Sequence, residues 1–115
     1  MLHYAYADVM QDSVADAKIN ERQAFDRSLE LMARAQKKGV FGRDTIEAVT
    51  YTRQLWSILL DDLASAENQL TTELKAGLIS IGLWIYEQAD KIMNRRSHDF
   101  RAMIEVTGSI RAGLN

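Results

Sequence analysis

The longest uncharged apolar stretch of the chain, AGLISIGLWIY at residues 76–86, constrains the fold most, because it has to be covered by something. It is eleven residues long, whereas a helix needs about 20 apolar residues to cross a bilayer. We therefore expect no membrane span here. The flanking segments TTELK and EQADKIM continue a helical pattern, which favours one long helix over a short buried strand. The question is whether other helices or a partner protein cover this helix.

Strong helix breakers are scarce, since the chain has no proline and only six glycines in 115 residues. This favours an all-α fold, and apolar spacing together with end signals predicts four helices. They run from Asn20 to Lys38, from Asp44 or Thr45 to Ala64, from Thr72 to Asn94, and from Ser97 or His98 to Gly113. The links are short, which favours antiparallel neighbours. We predict a small antiparallel helical bundle with an N-terminal arm, in a single domain spanning 1–115.

The arm is predicted over residues 1–19. Three acids, Asp8, Asp12 and Asp16, are spaced at i, i+4, where like charges oppose helix formation. Asn20 and Gln23 resemble a capping box that would start the first helix. The start MLHYAYADVM lacks the basic region and apolar run of a secretory signal, and the chain has no cysteine. A reducing cytoplasm is therefore the expected compartment.

Helices two and three carry more apolar residues than one core stripe needs. The predicted core stripe of helix two consists of Ile46, Val49, Trp56, Leu60 and Leu63, and that of helix three of Leu74, Leu78, Ile81, Ile85 and Ile92. A second set lies well away from these stripes on a helical wheel: Ile79, Leu83 and Tyr86 on helix three, with Leu55 and Ile58 on helix two. These five residues either face a further core helix or form a partner-binding surface.

No pattern in the chain indicates catalysis or cofactor binding. The two histidines, His3 and His98, lack the Glu-x-x-His and His-Glu-x-x-His spacings of bundle and zinc sites. Ser80 lies between glycines but misses the Gly-x-Ser-x-Gly spacing of a nucleophile elbow. We therefore expect a protein that is not an enzyme and that has no cofactor and no metal.

The formal net charge of −2 provides no overall field for attracting nucleic acid. Two local basic clusters are present: Lys37, Lys38 and Arg43 in one, and Arg95, Arg96 and Arg101 in the other. Basic residues near helix C-termini ordinarily complement the helix dipole. The alternative is that Arg95, Arg96 and Arg101 contact RNA phosphates.

Three segments together resemble the FlaF family, the flagellar biosynthesis regulators of alphaproteobacteria. They are LWSILLDDLASAENQL (Leu55 to Leu70), LKAGLISIGLWIYEQADKI (Leu74 to Ile92) and FRAMIEVTGSIRAGL (Phe100 to Leu114). With the first helix, ERQAFDRSLELMARA, the resemblance covers most of the chain. Many family members have a proline where this chain has Thr71, and both residue types suit the start of a helix.

The resemblance implies a positive role in flagellin production or export. It also implies action with or against the partner regulator FlbT, and direct handling of flagellin in the manner of a chaperone. It supplies no binding residues, so the candidate surface rests on the helical wheel. The runner-up function is an RNA-contacting, post-transcriptional regulator of flagellin synthesis.

Overall fold

The computed structural model describes residues 14–114, with side chains described from residue 20 onwards. This part of the chain forms four helices and no strand: α1 (Val14–Lys38), α2 (Arg43–Ala64), α3 (Thr72–Met93) and α4 (Arg101–Ala112). The predicted all-α fold of about four packed helices is confirmed. The predicted bounds of α2 and α3 agree with the structure to within two residues.

The two terminal helices differ from prediction. Helix α1 begins at Val14, six residues before Asn20, so Asn20 lies inside the helix and caps nothing. Of the three spaced acids only Asp16 belongs to this helix, and its neighbours Ala15 and Ala17 are strong helix formers. Residues 14–19 are therefore helical, and residues 1–13 of the predicted arm lie outside the described residues. Helix α4 is shorter than predicted, because Phe100 is its N-cap.

Local sequence explains the remaining helix ends. Gly39 has φ +73°, a left-handed conformation that favours glycine, and its N–H donates to the carbonyl of Ala35 at 3.2 Å. Helix α1 therefore stops after Lys38. Thr71 is the N-cap of α3, where its hydroxyl accepts a hydrogen bond from the Leu74 N–H at 3.2 Å.

Three helix pairs pack closely: α1 with α2, α2 with α3, and α1 with α4. Each pair is antiparallel. In the first, the Ser28 and Thr52 hydroxyls meet at 2.6 Å in mid-helix, while Lys38 and Asp44 meet beside the connecting loop. Arg53 pairs with Asp90 between α2 and α3. The order across the bundle is therefore α3, α2, α1, α4. The short α3–α4 link suggested that these two helices would be neighbours, but α4 packs on α1 instead.

The main core lies towards the end of the bundle that contains the 39–42 and 94–100 loops. It brings together Leu31, Met32 and Ala35 of α1, Ala48, Val49 and Trp56 of α2, Ile85, Ala89 and Ile92 of α3, and Phe100 and Met103 at the start of α4. A second buried cluster joins Ala24 and Phe25 of α1 to Leu55 of α2. Because α2 lies between α1 and α3, apolar residues on both of its sides are covered.

Two predicted core residues are exposed. Ile46 is 43% exposed and Leu74 is 53% exposed. Arg53 pairs with Asp90 close to the end of α3, so Ile46, two turns earlier in α2, lies beyond the end of that helix. Leu74 lies at the opposite end, in the first turn of α3. Both residues are on the predicted stripes but at helix ends, where no neighbouring helix covers them.

A glycine sets the distance between α2 and α3. A Cβ atom built on Gly82 would lie 3.0 Å from Trp56 Cε3 and 3.0 Å from Leu60 Cδ2, whereas one built on Gly77 meets nothing within 4 Å. Close packing therefore accounts for Gly82 but not for Gly77.

This difference predicts opposite effects of the same substitution. We expect Gly77→Ala to stabilise the protein by about 1 kcal/mol, since alanine is the better helix former. Gly82→Ala gains the same helix propensity but overpacks the α2–α3 contact, which costs about 1–3 kcal/mol. Urea unfolding of both variants measures the difference. Equal stabilisation by the two substitutions would show that α2 and α3 do not approach this closely.

Candidate functional site: an apolar groove at the open side of the bundle

An apolar groove opens at the end of the bundle away from the main core. Its lining comes from all four helices and the α2–α3 loop: Phe25 of α1, Trp56, Leu59 and Leu63 of α2, Leu70 of the loop, Leu78 of α3, and Ile110 and Leu114 at the end of α4. Two carboxylates, Glu21 and Asp62, complete the lining. The groove encloses about 140 Å³. Its walls can accept apolar side chains, and its acidic residues favour basic groups beside them.

The groove lies where α3 and α4 line one concavity without packing closely on each other. Helix α4 has 12 residues and α3 has 22, which correspond to about 18 Å and about 33 Å at 1.5 Å per residue. At the main core, Met103 of α4 and Ile85 of α3 belong to one buried cluster. Helix α3 packs closely on α2, whereas α4 packs closely on α1. Leu78 of α3 and Ile110 and Leu114 at the end of α4 therefore line a groove between helices that are not closely packed on each other.

Exposed apolar side chains concentrate towards the start of α3. Of six large hydrophobic residues exposed in the described range, four lie between residues 70 and 83: Leu70, Leu74, Ile79 and Leu83. The other two, Val40 and Ile46, lie at the opposite end of the bundle. The apolar segment at residues 76–86 is therefore only partly covered by other helices. No helix in the described part of the chain has the length and hydropathy of a membrane span.

The five predicted partner-binding residues differ in exposure: two are exposed, one is half-buried and two are buried. Ile79 and Leu83 are exposed at 37% and 59%, so no helix of the described chain covers them. Tyr86 is half-buried and packs against the main core. Ile79 and Leu83 do not line the groove. Ile79 follows Leu78 by one residue, about 100° around the helix, so Ile79 and Leu83 form a separate outer stripe.

Leu55 and Ile58 lie in the protein interior, at 1% and 5% exposure, so they are not part of a free surface. The prediction placed them off the core stripe of α2. That stripe faces α3, however, and Leu55 packs with Ala24 and Phe25 of α1 on the other side of the helix. The groove residues Leu59, Ile110 and Leu114 were not singled out from the sequence as a binding surface. The wheel of a single helix does not show that α4 packs on α1 and leaves a groove beside α3.

The two basic clusters lie at the other end of the bundle, where the 39–42 and 94–100 loops meet. Arg95 lies over the ring of Phe41, with its guanidinium carbon 4.3 Å from the ring centroid. His98 Nε2 and Thr45 Oγ1 are 3.1 Å apart, which joins the second loop to the start of α2. Clusters that are more than fifty residues apart in sequence therefore form one basic surface.

Arg101 differs from Arg95 and Arg96 because its guanidinium is paired with a carboxylate. Its Nε and Nη2 atoms donate to the two carboxylate oxygens of Asp99, each at 2.9 Å. These hydrogen bonds from Arg101 lower the pKa of Asp99 to about 2. The pair therefore stays ionised and joined across the physiological pH range. Of the three predicted RNA-contacting arginines, Arg95 and Arg96 are placed together, and Arg101 is engaged by a carboxylate.

Within the described residues, no group of three or more His, Cys, Asp or Glu side chains is arranged to hold a metal ion. The groove contains apolar side chains and two carboxylates, and the loop end contains cations and one aromatic ring. Both arrangements are suited to binding macromolecular segments.

Comparison with protein families gives one match over nearly the full length. The model of the family described as Flagellar protein FlaF matches residues 2–114. Searches of curated proteins and of solved structures gave no match. The match includes the groove-lining residues of all four helices and both loops of the basic end.

Proposed function

The chain belongs to the FlaF family of flagellar proteins, and on that premise we propose that it promotes flagellin production or export by binding flagellin in the apolar groove. In this proposal it acts in the cytoplasm as a small helical chaperone, and flagellin contributes an amphipathic segment to the complex. The interaction with FlbT that the resemblance implies stays a prediction.

The observation that carries this proposal is the apolar concavity beside the start of α3, which is lined by the exposed Leu70 and the half-buried Leu78. Exposed apolar surface of this kind is costly in water and commonly marks a protein-binding site. The groove has a floor from α2 and walls from α3 and α4, which is the form that helix-in-groove recognition uses. An amphipathic helix would place its apolar face between Leu78 and Ile110.

The charge around the groove suits the same kind of partner. Glu21 and Asp62 are the two carboxylates of the lining, and none of the side chains described from residue 20 onwards adds a basic group to it. The exposed carboxylate of Asp62 would favour an occupant with Lys or Arg beside its apolar stripe over one with acidic flanks. Contacts of this type raise the association rate and select the orientation, while burial of the apolar face provides most of the affinity.

The test compares one residue of the groove with one residue of the outer stripe. Leu78 is half-buried in the groove wall, and Leu83 is exposed on the outer stripe of the same helix. We expect Leu78→Gln to weaken flagellin binding by about 30-fold, corresponding to about 2 kcal/mol for a residue central to an interface. Leu83→Gln is the matched control and should leave binding unchanged. Titration calorimetry with purified flagellin from the same organism measures both.

Thermal unfolding of each variant accompanies the titrations, because a destabilised groove variant would lose binding for a trivial reason. Neither leucine is fully buried, so both variants should stay folded at the temperature of measurement. If Leu78→Gln binds flagellin as tightly as the unmodified protein, the groove is not the flagellin site. If Leu83→Gln alone loses binding, the outer stripe takes that role.

A further inference from the structure

The end of the bundle that contains the 39–42 and 94–100 loops, called the loop end below, is rich in basic residues and lies apart from the proposed flagellin groove. Residues 36–44 and 94–101 contain six basic side chains and two acidic ones, although the whole chain is slightly acidic. Both carboxylates are engaged: Asp44 is 3.8 Å from Lys38, and Asp99 is bonded to Arg101. Among the described residues, four cations at this end form no ion pair: Lys37, Arg43, Arg95 and Arg96.

A shallow pocket lies beside two of these cations, Arg95 and Arg96. It is lined by Gly39 and Phe41 of the first loop and by Arg95, Arg96, Ser97 and His98 of the second, with a volume of about 260 Å³. Pockets for free small molecules usually enclose about 300–1,000 Å³ and are mostly apolar. This one is smaller, open and cationic. Its size suits one unit of an extended anionic polymer better than a whole metabolite.

The Arg95 side chain is held in a position to stack. Its guanidinium lies 4.3 Å from the centroid of the half-buried Phe41 ring. The backbone of Arg95 has φ +59°, a left-handed conformation, because Arg95 follows the C-cap residue of α3 and closes the end of this helix. The Arg95 N–H donates to the Ile92 carbonyl at 3.0 Å and the Arg96 N–H to the Lys91 carbonyl at 2.8 Å, which fixes where the two side chains leave the helix end. Arg95 as a whole is exposed, so the guanidinium face opposite Phe41 is open to a planar group.

From these observations we propose that the loop end binds single-stranded RNA, with one base stacked on the Arg95–Phe41 pair and the neighbouring phosphates held by Arg96, Arg43 and Lys37. Single-stranded RNA is recognised by cations that follow its backbone and by aromatic or guanidinium planes that stack its bases. An acidic peptide would use the cations but would have no use for the stacked pair. The basic end is separate from the flagellin groove, so this proposal does not depend on flagellin binding.

The experiment is fluorescence anisotropy of a labelled single-stranded adenine-rich RNA at several salt concentrations. The test variant is Arg95→Asn with Arg96→Gln, since asparagine tolerates the left-handed backbone at position 95. We expect its affinity to fall by about tenfold or more through lost stacking and charge. The slope of log K against log salt should become shallower by about 0.7, the contribution of one phosphate contact on a single strand, because Arg96 holds a phosphate and Arg95 stacks a base.

Two controls make the result specific. Arg22→Gln with Lys75→Gln removes the same charge from the first half of α1 and the first turn of α3, far from the loops. It should change affinity by less than about twofold, as distant screened charges do. Arg95→Lys keeps the charge but loses the plane, so it should weaken binding while leaving the salt slope unchanged. A poly-glutamate peptide serves as a competing anion. The proposal is overturned if the loop and control variants bind RNA equally, or if the peptide binds at this end and RNA does not.

Discussion

Replacing Trp56 by alanine is expected to lower the free energy of unfolding by about 3–5 kcal/mol, as for other large buried aromatics. Trp56 is 1% exposed, belongs to the main core and also lies against Gly82 of α3. Its removal would leave a cavity at the α2–α3 contact. The loss is a large share of the roughly 5–15 kcal/mol that stabilises a typical domain. Urea unfolding followed by circular dichroism measures it, with Trp84 left as a fluorescence reporter.

The matched variant is Trp56→Phe. The indole Nε1 of Trp56 is buried without a hydrogen-bond partner in the described structure, so phenylalanine loses no hydrogen bond. It keeps most of the apolar volume and should cost less than half as much as alanine. If Trp56→Ala unfolds within about 1 kcal/mol of the unmodified protein, a range typical of exposed positions, then Trp56 is not a core residue.

The second large effect is expected at the other end of the bundle, where Phe100→Ala should also cost about 3–5 kcal/mol. The Phe100 side chain is fully buried and contacts the His98 ring edge to face, with centroids 5.8 Å apart. Its backbone N–H donates to Gln36 Oε1 at 2.6 Å, which fixes the start of α4 on α1. Thermal unfolding of the variant measures the loss.

Phe100→Leu separates the contribution of apolar volume from that of the ring, and Gln36→Ala removes only the hydrogen bond. We expect a cost below about 1.5 kcal/mol for the leucine variant and of about 1 kcal/mol for Gln36→Ala. A Phe100→Ala variant no less stable than Gln36→Ala would mean that the hydrogen bond, and not the ring, fixes α4.

Much of the fold follows from local sequence signals. The bounds of α2 and α3, the stop after Lys38 and the Thr71 cap are all set by neighbouring residues, so they could be predicted. The burial of Trp56 and Ile85 also followed, because each lies mid-helix on a stripe with several apolar neighbours. The start of α1 was misjudged, since the penalty assigned to three acids applied to only one residue of the helix.

The candidate site could be predicted only in part. A helical wheel gives the angle of a residue around its helix, but it does not say whether another helix covers that angle. Leu55 was left open between core and partner-binding surface because the position of α1 beside α2 was unknown, and Leu74 was taken for core because the ends of the packed helices were unknown. Ile79 and Leu83 were correctly separated from the core stripe. The groove depends on the pairing of α4 with α1, which is a property of the tertiary arrangement.

The pairing of α4 with α1 also determines when the groove can form during synthesis. The other two packed pairs join helices that are consecutive in the chain, and such local contacts form early. The α1–α4 contacts instead join residues separated by 64 positions at Gln36 and Phe100, and by 85 positions at Asp26 and Arg111. Ile110 and Leu114 of the groove wall leave the ribosome after the other groove residues. A nascent chain that has already paired its first three helices therefore still lacks this wall, and the groove is complete only once the last helix has been synthesised.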